Sequence, residues 1–192
     1  PLGLLTLAAL LRSHGLSVSY IDCLDRFHPK APVGDPSARH GRGPYLKKRI
    51  AKPRGLRDVQ RTFSRYGIKP QWLKEDLRAL RPPDLILITS LMTYWYTGVQ
   101  EAIAILHALV PDTAIILGGI YASLCNKHAL KNAGADDIFR GPAEEALFDL
   151  IAKYTHVTTT PRFNSQELDS YPYPALDLQN RVNYVPLLTS RG

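Results

Sequence analysis

Asp84-Leu85-Ile86-Leu87-Ile88-Thr89-Ser90 and Ala114-Ile115-Ile116-Leu117-Gly118-Gly119 decide the fold. Each is a short apolar run, rich in β-branched residues, that ends in small polar residues or glycine. A strand that is apolar on both faces must be covered on both faces, as strands inside a parallel sheet are. Between the two runs, Val99, Ala102, Ile103, Ile105, Leu106 and Leu109 recur at helical spacing, and Pro111-Asp112 stops the pattern. Two parallel strands joined by a crossover helix follow from that order.

The alternation continues on both sides. The spacing predicts helices over about 71–80, 98–109, 124–133 and 143–154, with strands at 84–88, 113–117 and 137–139. Upstream, Leu2, Leu4, Leu5, Leu7, Ala8, Ala9, Leu10 and Leu11 make a segment apolar nearly all round, which predicts a buried helix ending at Arg12-Ser13-His14-Gly15. Leu16-Ser17-Val18-Ser19-Tyr20-Ile21-Asp22 alternates apolar and polar residues and predicts an outer strand. The expected architecture is α/β, a doubly wound parallel sheet whose ligands sit at the carboxyl ends of the strands.

Between about Asp25 and Lys69 the chain carries Pro29, Pro32, Gly34, Pro36, Gly41, Gly43, Pro44, Pro53 and Gly55, too many breakers for one long element. This is an insertion (25–69), with a helix expected near Leu56 to Tyr66. It also carries the basic charge. From His40 to Lys69 ten Lys and Arg stand against Asp58 alone, a net of +9, while the rest of the chain has fourteen basic and sixteen acidic residues, a net of −2. Such a stretch is a solvated insertion or a surface for phosphates, an acidic partner or nucleic acid. Nucleic acid is not expected as a partner, because Tyr45, Phe63 and Tyr66 interleave thinly and no nucleic-acid motif accompanies them.

With 192 residues, 45% of them hydrophobic, the chain can bury one good core with an appendage. No apolar run reaches the roughly 20 residues that span a bilayer, and Pro1-Leu2-Gly3-Leu4-Leu5 lacks the basic flank of a signal peptide. A cytoplasmic protein without a membrane partner is expected. Cys23 and Cys125 are too few for a disulfide framework or a four-thiolate metal site. Thr155 to Pro174, with Thr158-Thr159-Thr160-Pro161 and Tyr171-Pro172-Tyr173-Pro174, reads as an extended linker, so the expected domains are 1–154 and a linker over 155–192.

Several quoted motifs together resemble a known family. They are the Pro1-Leu2-Gly3-Leu4-Leu5-Thr6-Leu7-Ala8-Ala9 helix, the strand ending Ile21-Asp22, the strand ending Thr89-Ser90, the Ile116-Leu117-Gly118-Gly119-Ile120-Tyr121-Ala122-Ser123 turn and Arg140-Gly141-Pro142-Ala143-Glu144. The pattern is similar to the cobalamin-binding domain at the front of cobalamin-dependent radical S-adenosylmethionine proteins. The likeness covers about residues 1–24 and 70–154, and the tail from Tyr184 to Gly192 resembles the strand that enters that family's three-cysteine iron-sulfur motif. The resemblance implies a flavodoxin-like or Rossmann-like sheet with cobalamin in this domain. It also implies a 4Fe-4S cluster and S-adenosylmethionine in a C-terminal radical barrel beyond this chain, which would be its partner in cis. The substrate of the whole enzyme would be a small molecule or a peptide, and the expected reaction is methyl transfer to an unactivated carbon. Ring formation and rearrangement also occur in the family. The chain is accordingly expected to be a fragment of a larger enzyme.

Physical reasons support the same residues. A corrinoid whose lower base has left the cobalt must slide a long nucleotide tail between strand ends, and backbone without side chains lets that tail approach. Gly118 and Gly119 provide such backbone, Thr89 and Ser90 provide hydroxyls, and Leu91 can lie against the ring. Gly118-Gly119 is equally the sequence of a tight strand-to-helix turn with no ligand. Tyr94, within Tyr94-Trp95-Tyr96, either stacks on a ring or packs on the surface. Thr93, beside Tyr94, and Gly141, beside Arg140 in the loop after the strand at 137–139, are further candidate cofactor contacts. Ser123 is first a helix N-cap candidate and second a ligand contact. Arg140 contacts a phosphate or pairs with a neighbouring acid. Glu144 and Glu145, adjacent and about 100° apart on a helix, share no face and suit the helix N-terminus.

Two departures from the family are visible. Tyr121 stands where the family often has histidine, and it is expected to offer the cofactor a polar contact of another kind. The Asp-x-His-x-x-Gly pattern of carriers that ligate cobalt through histidine does not occur, and His28, in Asp25-Arg26-Phe27-His28, is expected to be a solvated loop residue. No metal ligand is therefore assigned. The family's first strand would precede Pro1, and Val182 to Thr189 is a candidate to fill that central position despite Pro186. Two other classes of function stand beside the cobalamin reading. One is a flavodoxin-like nucleotide- or phosphate-binding signalling domain, for which no glycine-rich fingerprint is present. The other is an interaction module using the basic insertion.

Overall fold

The computed structural model describes residues 1–35, 37–39, 42–164 and 166–185. Two units make up the chain. The first comprises Pro1–Ser19 and Leu77–Leu178, the second Tyr20–Asp76 and the described part of Gln179–Gly192. In chain order the elements are α1 (Leu2–Ser13), β1 (Lys47–Arg49), β2 (Ser64–Tyr66), α2 (Pro70–Ala79), β3 (Leu85–Ser90), α3 (Tyr96–Leu109), β4 (Ala114–Gly118), α4 (Gly119–Leu124), α5 (Asn126–Asn132), β5 (Asp137–Ile138) and α6 (Leu147–Thr155).

The first unit is built on the parallel sheet β3-β4-β5, with β4 in the centre. Leu85 faces Ala114 at one end of the β3–β4 ladder and Thr89 faces Gly118 at the other, while Ile116 and Leu117 pair with Asp137 and Ile138. Alternate side chains of a strand go to opposite faces, and both faces are filled here. Ile86, Ile88, Ile115 and Leu117 pack with Val99, Ile103 and Leu106 of α3, Tyr121 and Ala122 of α4 and Ala129 of α5. Leu85 and Leu87 pack on the other face with Leu7, Leu10 and Leu11 of α1 and Leu147, Phe148 and Ile151 of α6. The α/β class and the wound parallel sheet expected from the sequence are thus present.

Several expectations fail in instructive ways. Residues 16–22 form no strand among the described residues. Their alternation reflects burial alone, because Leu16 and Val18 pack into the α1–α6 core without a ladder partner. The helix expected over 124–133 is present as α5, but a further short helix that the sequence did not predict, α4, precedes it. Gly119 starts α4 directly at the strand end, and the chain breaks at Cys125 before α5. The closing helix begins at Leu147 rather than 143, because Gly141-Pro142 and the turn after it occupy the space between. No helix forms near Leu56 to Tyr66. That stretch ends a 3-10 turn (Arg54–Leu56) and then supplies β2. Val182–Val185 form no strand, so they do not fill a central position, and 186–189 lie outside the described residues, as does most of the tail that resembles the iron-sulfur strand.

In the second unit β1 and β2 pair antiparallel, with Lys47 opposite Tyr66 and Arg49 opposite Ser64. Lys47, Lys48, Arg49, Arg54, Arg57 and Arg61 are all exposed, and none has an ion-pair partner among the described residues. His28 corrects the expectation of a solvated side chain. It is 6% exposed, stacks on Trp72 at 4.8 Å, sits 3.0 Å from Asp76 Oδ2 through Nε2, and accepts the Lys30 N–H at Nδ1. Among the described residues no helix is long and apolar enough to cross a membrane.

Candidate functional site

Thr89-Ser90 and Gly118-Gly119 end neighbouring strands side by side, and the ladder continues one step past the strands through a Ser90–Gly119 bridge. Gly119 has φ +87°, in the left-handed region where a Cβ is penalised. A Cβ there would overlap Thr89 Oγ1 and crowd Ser90 N and O at 3.1 Å. Gly118 differs. Its backbone is extended, and a Cβ would meet only Phe139 O at 3.9 Å and Ile88 O at 4.0 Å, which is ordinary contact. Gly119 is therefore required by the turn, whereas Gly118 leaves space open.

That space belongs to a cavity of about 230 Å³ on the α1–α6 side of the sheet. Gly3, Leu4 and Leu7 form its α1 wall, Thr89, Gly118 and Gly119 line it at the strand ends, and Leu147 and Leu150 close it from α6. Among the described residues Glu144 is the one ionisable side chain in the lining. The sequence places it at a helix N-terminus, and the structure puts it in the turn before α6, facing the cavity. The α1 wall and Leu147 were not among the expected site residues. Their only signal was that α1 is apolar nearly all round, more than one sheet contact needs.

Of the expected residues, Thr89, Gly118, Gly119 and Gly141 come together around this cavity. Ser90 is buried, and its hydroxyl donates to Met92 O at 3.1 Å, which holds the loop after β3. Leu91 and Tyr94 (67% exposed) stand on that loop with Met92, and the Thr93–Trp95 turn packs beside α4, whose Ile120 and Leu124 are also exposed. The strand ends thus carry an open apolar surface. Tyr121 lies elsewhere. It is 1% exposed in the core, its hydroxyl 2.9 Å from His128 Nδ1, and its burial raises the phenol pKa and keeps it neutral. Ser123 falls in the last turn of α4, not at an N-cap, and its Oγ accepts a long 3.4 Å hydrogen bond from Gly141 N. Arg140 is exposed beside Gly141 and has no acidic partner among the described residues.

Among the described residues no histidine lines the cavity. In the first unit, His14 Nε2 accepts the Arg162 N–H while Nδ1 lies 2.7 Å from Leu10 O, and His107 Nε2 lies 2.9 Å from Gly134 O. His128 is bonded to Tyr121, and His156 caps α6 with left-handed backbone. Among the described residues no three His, Cys, Asp or Glu side chains are grouped to hold a metal ion.

The chain is an α/β protein with a wound parallel sheet, and its apolar cavity and glycine opening lie at the carboxyl ends of the strands, where sheets of this class hold ligands. Residues 59–151, just under half of the chain, match the B12 binding domain family. The matched stretch contains β3, β4, β5 and both strand-end motifs, and it excludes α1. The chain is also 34% identical over 83 residues to the anaerobic magnesium-protoporphyrin IX monomethyl ester cyclase of Cereibacter sphaeroides, a match over 43% of this chain and 13% of that protein. No solved structure matches the chain significantly.

Proposed function

We propose that this chain holds cobalamin at the carboxyl ends of β3 and β4, as the cofactor module of a radical S-adenosylmethionine enzyme. The observation that carries the reading is the cavity beside Thr89 and Gly118 within a segment that matches the B12 binding domain. The residues fit the group. The lining is apolar, as a corrinoid's nucleotide base requires, and Gly118 keeps the entrance free of a side chain. Thr89 Oγ1 offers a hydrogen bond where a tail would pass, Leu91, Met92 and Tyr94 offer an apolar bed for a ring, and Arg140 lies beside the loop as a cation for a phosphate. A bound cobalamin supplies a cobalt centre that carries a methyl group or exchanges electrons, while this chain contributes position and exclusion of water.

Because the sequence lacks the Asp-x-His-x-x-Gly pattern, this reading assigns no imidazole of the chain to the cobalt, and no histidine lines the tail's cavity among the described residues. Titrating the chain with cob(II)alamin tests both parts. Saturable change in the ultraviolet-visible spectrum is expected, together with an electron paramagnetic resonance spectrum free of nitrogen coupling from a protein. No spectral change would overturn the assignment, and imidazole coupling would overturn the axial reading alone.

For the whole protein we infer a 4Fe-4S cluster and S-adenosylmethionine in a domain C-terminal to this one, acting on a small-molecule or peptide substrate. The cyclase name of the relative supports ring formation alongside the methyl transfer expected from the sequence. Assay of the full-length protein for a methylated product against a cyclised one separates them.

A further inference from the structure

The helix α1 has little of its own to hold it. Its twelve residues, Leu2–Ser13, carry no acid in the first turn, and a helix of that length is marginal alone in water. One face packs on the sheet and α6. The opposite face carries Ala8 and Ala9, and both are buried against Ala175. Ala175 is itself 5% exposed, and its N–H donates to Leu5 O at 3.0 Å, so the backbone of the returning chain lies directly on the helix. Only small side chains at 8, 9 and 175 permit that approach. Two further ties hold the C-terminal end of α1. Arg12 pairs with Asp177 at 2.7 Å, and His14 Nε2 accepts the Arg162 N–H at 3.0 Å. Phe163 and Tyr171 anchor the same stretch to Phe148 of α6.

We propose that Leu168–Leu178 is a strap that fixes α1, and that Ala175 is a positioning residue for the cavity wall made by Gly3, Leu4 and Leu7. The stretch that composition marks as a linker is on this view part of the ligand-holding fold, although both it and α1 fall outside residues 59–151. The effect on ligand affinity rests on the cobalamin reading above, whereas the effect on α1 does not.

Amide hydrogen exchange and cobalamin titration of the whole chain test the proposal together. Ala175→Trp, which overpacks the contact with Ala8 and Ala9, is expected to speed exchange at Ala8–Leu11 about tenfold and to raise the cobalamin Kd about tenfold, with Ile115–Leu117 of β4 unchanged. Ala175→Ser keeps the N–H and the small volume and is expected to match the parent. Unchanged exchange in α1, or faster exchange in α1 with an unchanged Kd, overturns the strap. If Ala175→Trp loosens β4 as much as α1, the charge pair decides. Asp177→Arg must then speed α1 exchange, and Arg12→Asp combined with Asp177→Arg must restore it; failure of that restoration also overturns the proposal. A parent chain that takes up no cobalamin defeats the functional reading and leaves the exchange result to decide the strap.

Discussion

Gly119 passes Thr89 so closely that the turn between β4 and α4 has no room for a Cβ, because Thr89 Oγ1 already occupies its place. One residue earlier, Gly118 pairs with the same Thr89 in the β3–β4 ladder and leaves open space beside it. Gly119→Ala is expected to lower stability by about 2–3 kcal/mol, from left-handed strain plus the displaced Thr89 hydroxyl. Gly118→Ala should stay within about 1 kcal/mol of the parent. Urea denaturation of the two variants checks the contrast, and equal losses would contradict it.

The central strand sets the largest side-chain dependence. Ile115 is fully buried between β3, β5 and the α3–α5 layer, so Ile115→Ala is expected to cost about 2–5 kcal/mol by lost burial and the cavity it leaves. Leu130→Ala, on the exposed side of α5, should change stability by no more than about 0.5 kcal/mol. Thermal or chemical unfolding of both measures the difference.

Asp137 of β5 accepts hydrogen bonds from Tyr154 Oη at 2.7 Å and Lys153 Nζ at 3.0 Å, which tie α6 to the sheet edge. Those donors, the tyrosine first, hold its carboxyl below the usual carboxylate range. The folded pKa lies under the unfolded one, so the contribution is complete above the ordinary Asp pKa of about 4 and is lost as pH falls through the lowered folded value. Tyr154→Phe is expected to cost about 1 kcal/mol at neutral pH. The gap between parent and Asp137→Asn should be flat from neutral pH down to about pH 5 and should narrow below it, as unfolding midpoints across pH will show.

His28 holds a loop of the second unit to α2 through Asp76, the Lys30 amide and the face of Trp72. His28→Ala removes all three at once and is expected to cost about 1–3 kcal/mol locally. Faster exchange of the Lys30 amide and earlier proteolysis within residues 23–31 would show it. Unchanged protection there would mean that the ring is not what pins the loop.

The sheet was legible because β3 and β4 are packed on both faces, and an apolar run so short and so rich in β-branched residues suits an inner strand better than a helix. The alternation at Leu16–Asp22 misled because Leu16 and Val18 are buried without a strand beside them, and sequence period reports burial, not pairing. The strand-end doublets marked the cavity's position, yet Gly3, Leu4 and Leu7 of its wall come from α1, which nothing local ties to the strand ends. Tyr121 shows the same limit. Its place two residues after the glycines suggested a ligand contact, but α4 begins at Gly119 and its first turn carries the ring into the core. The Pro-rich stretch before Leu178 reads as a linker because proline removes regular structure without removing packing.

The Gly118-Gly119 doublet also shapes how such a domain can change over generations. A single substitution at 118 alters the mouth of the cavity while the sheet and its turn persist. The same step at 119 strains the turn that supports the mouth. Position 118 can therefore change in size while the fold is kept, whereas any side chain at 119 works against the turn.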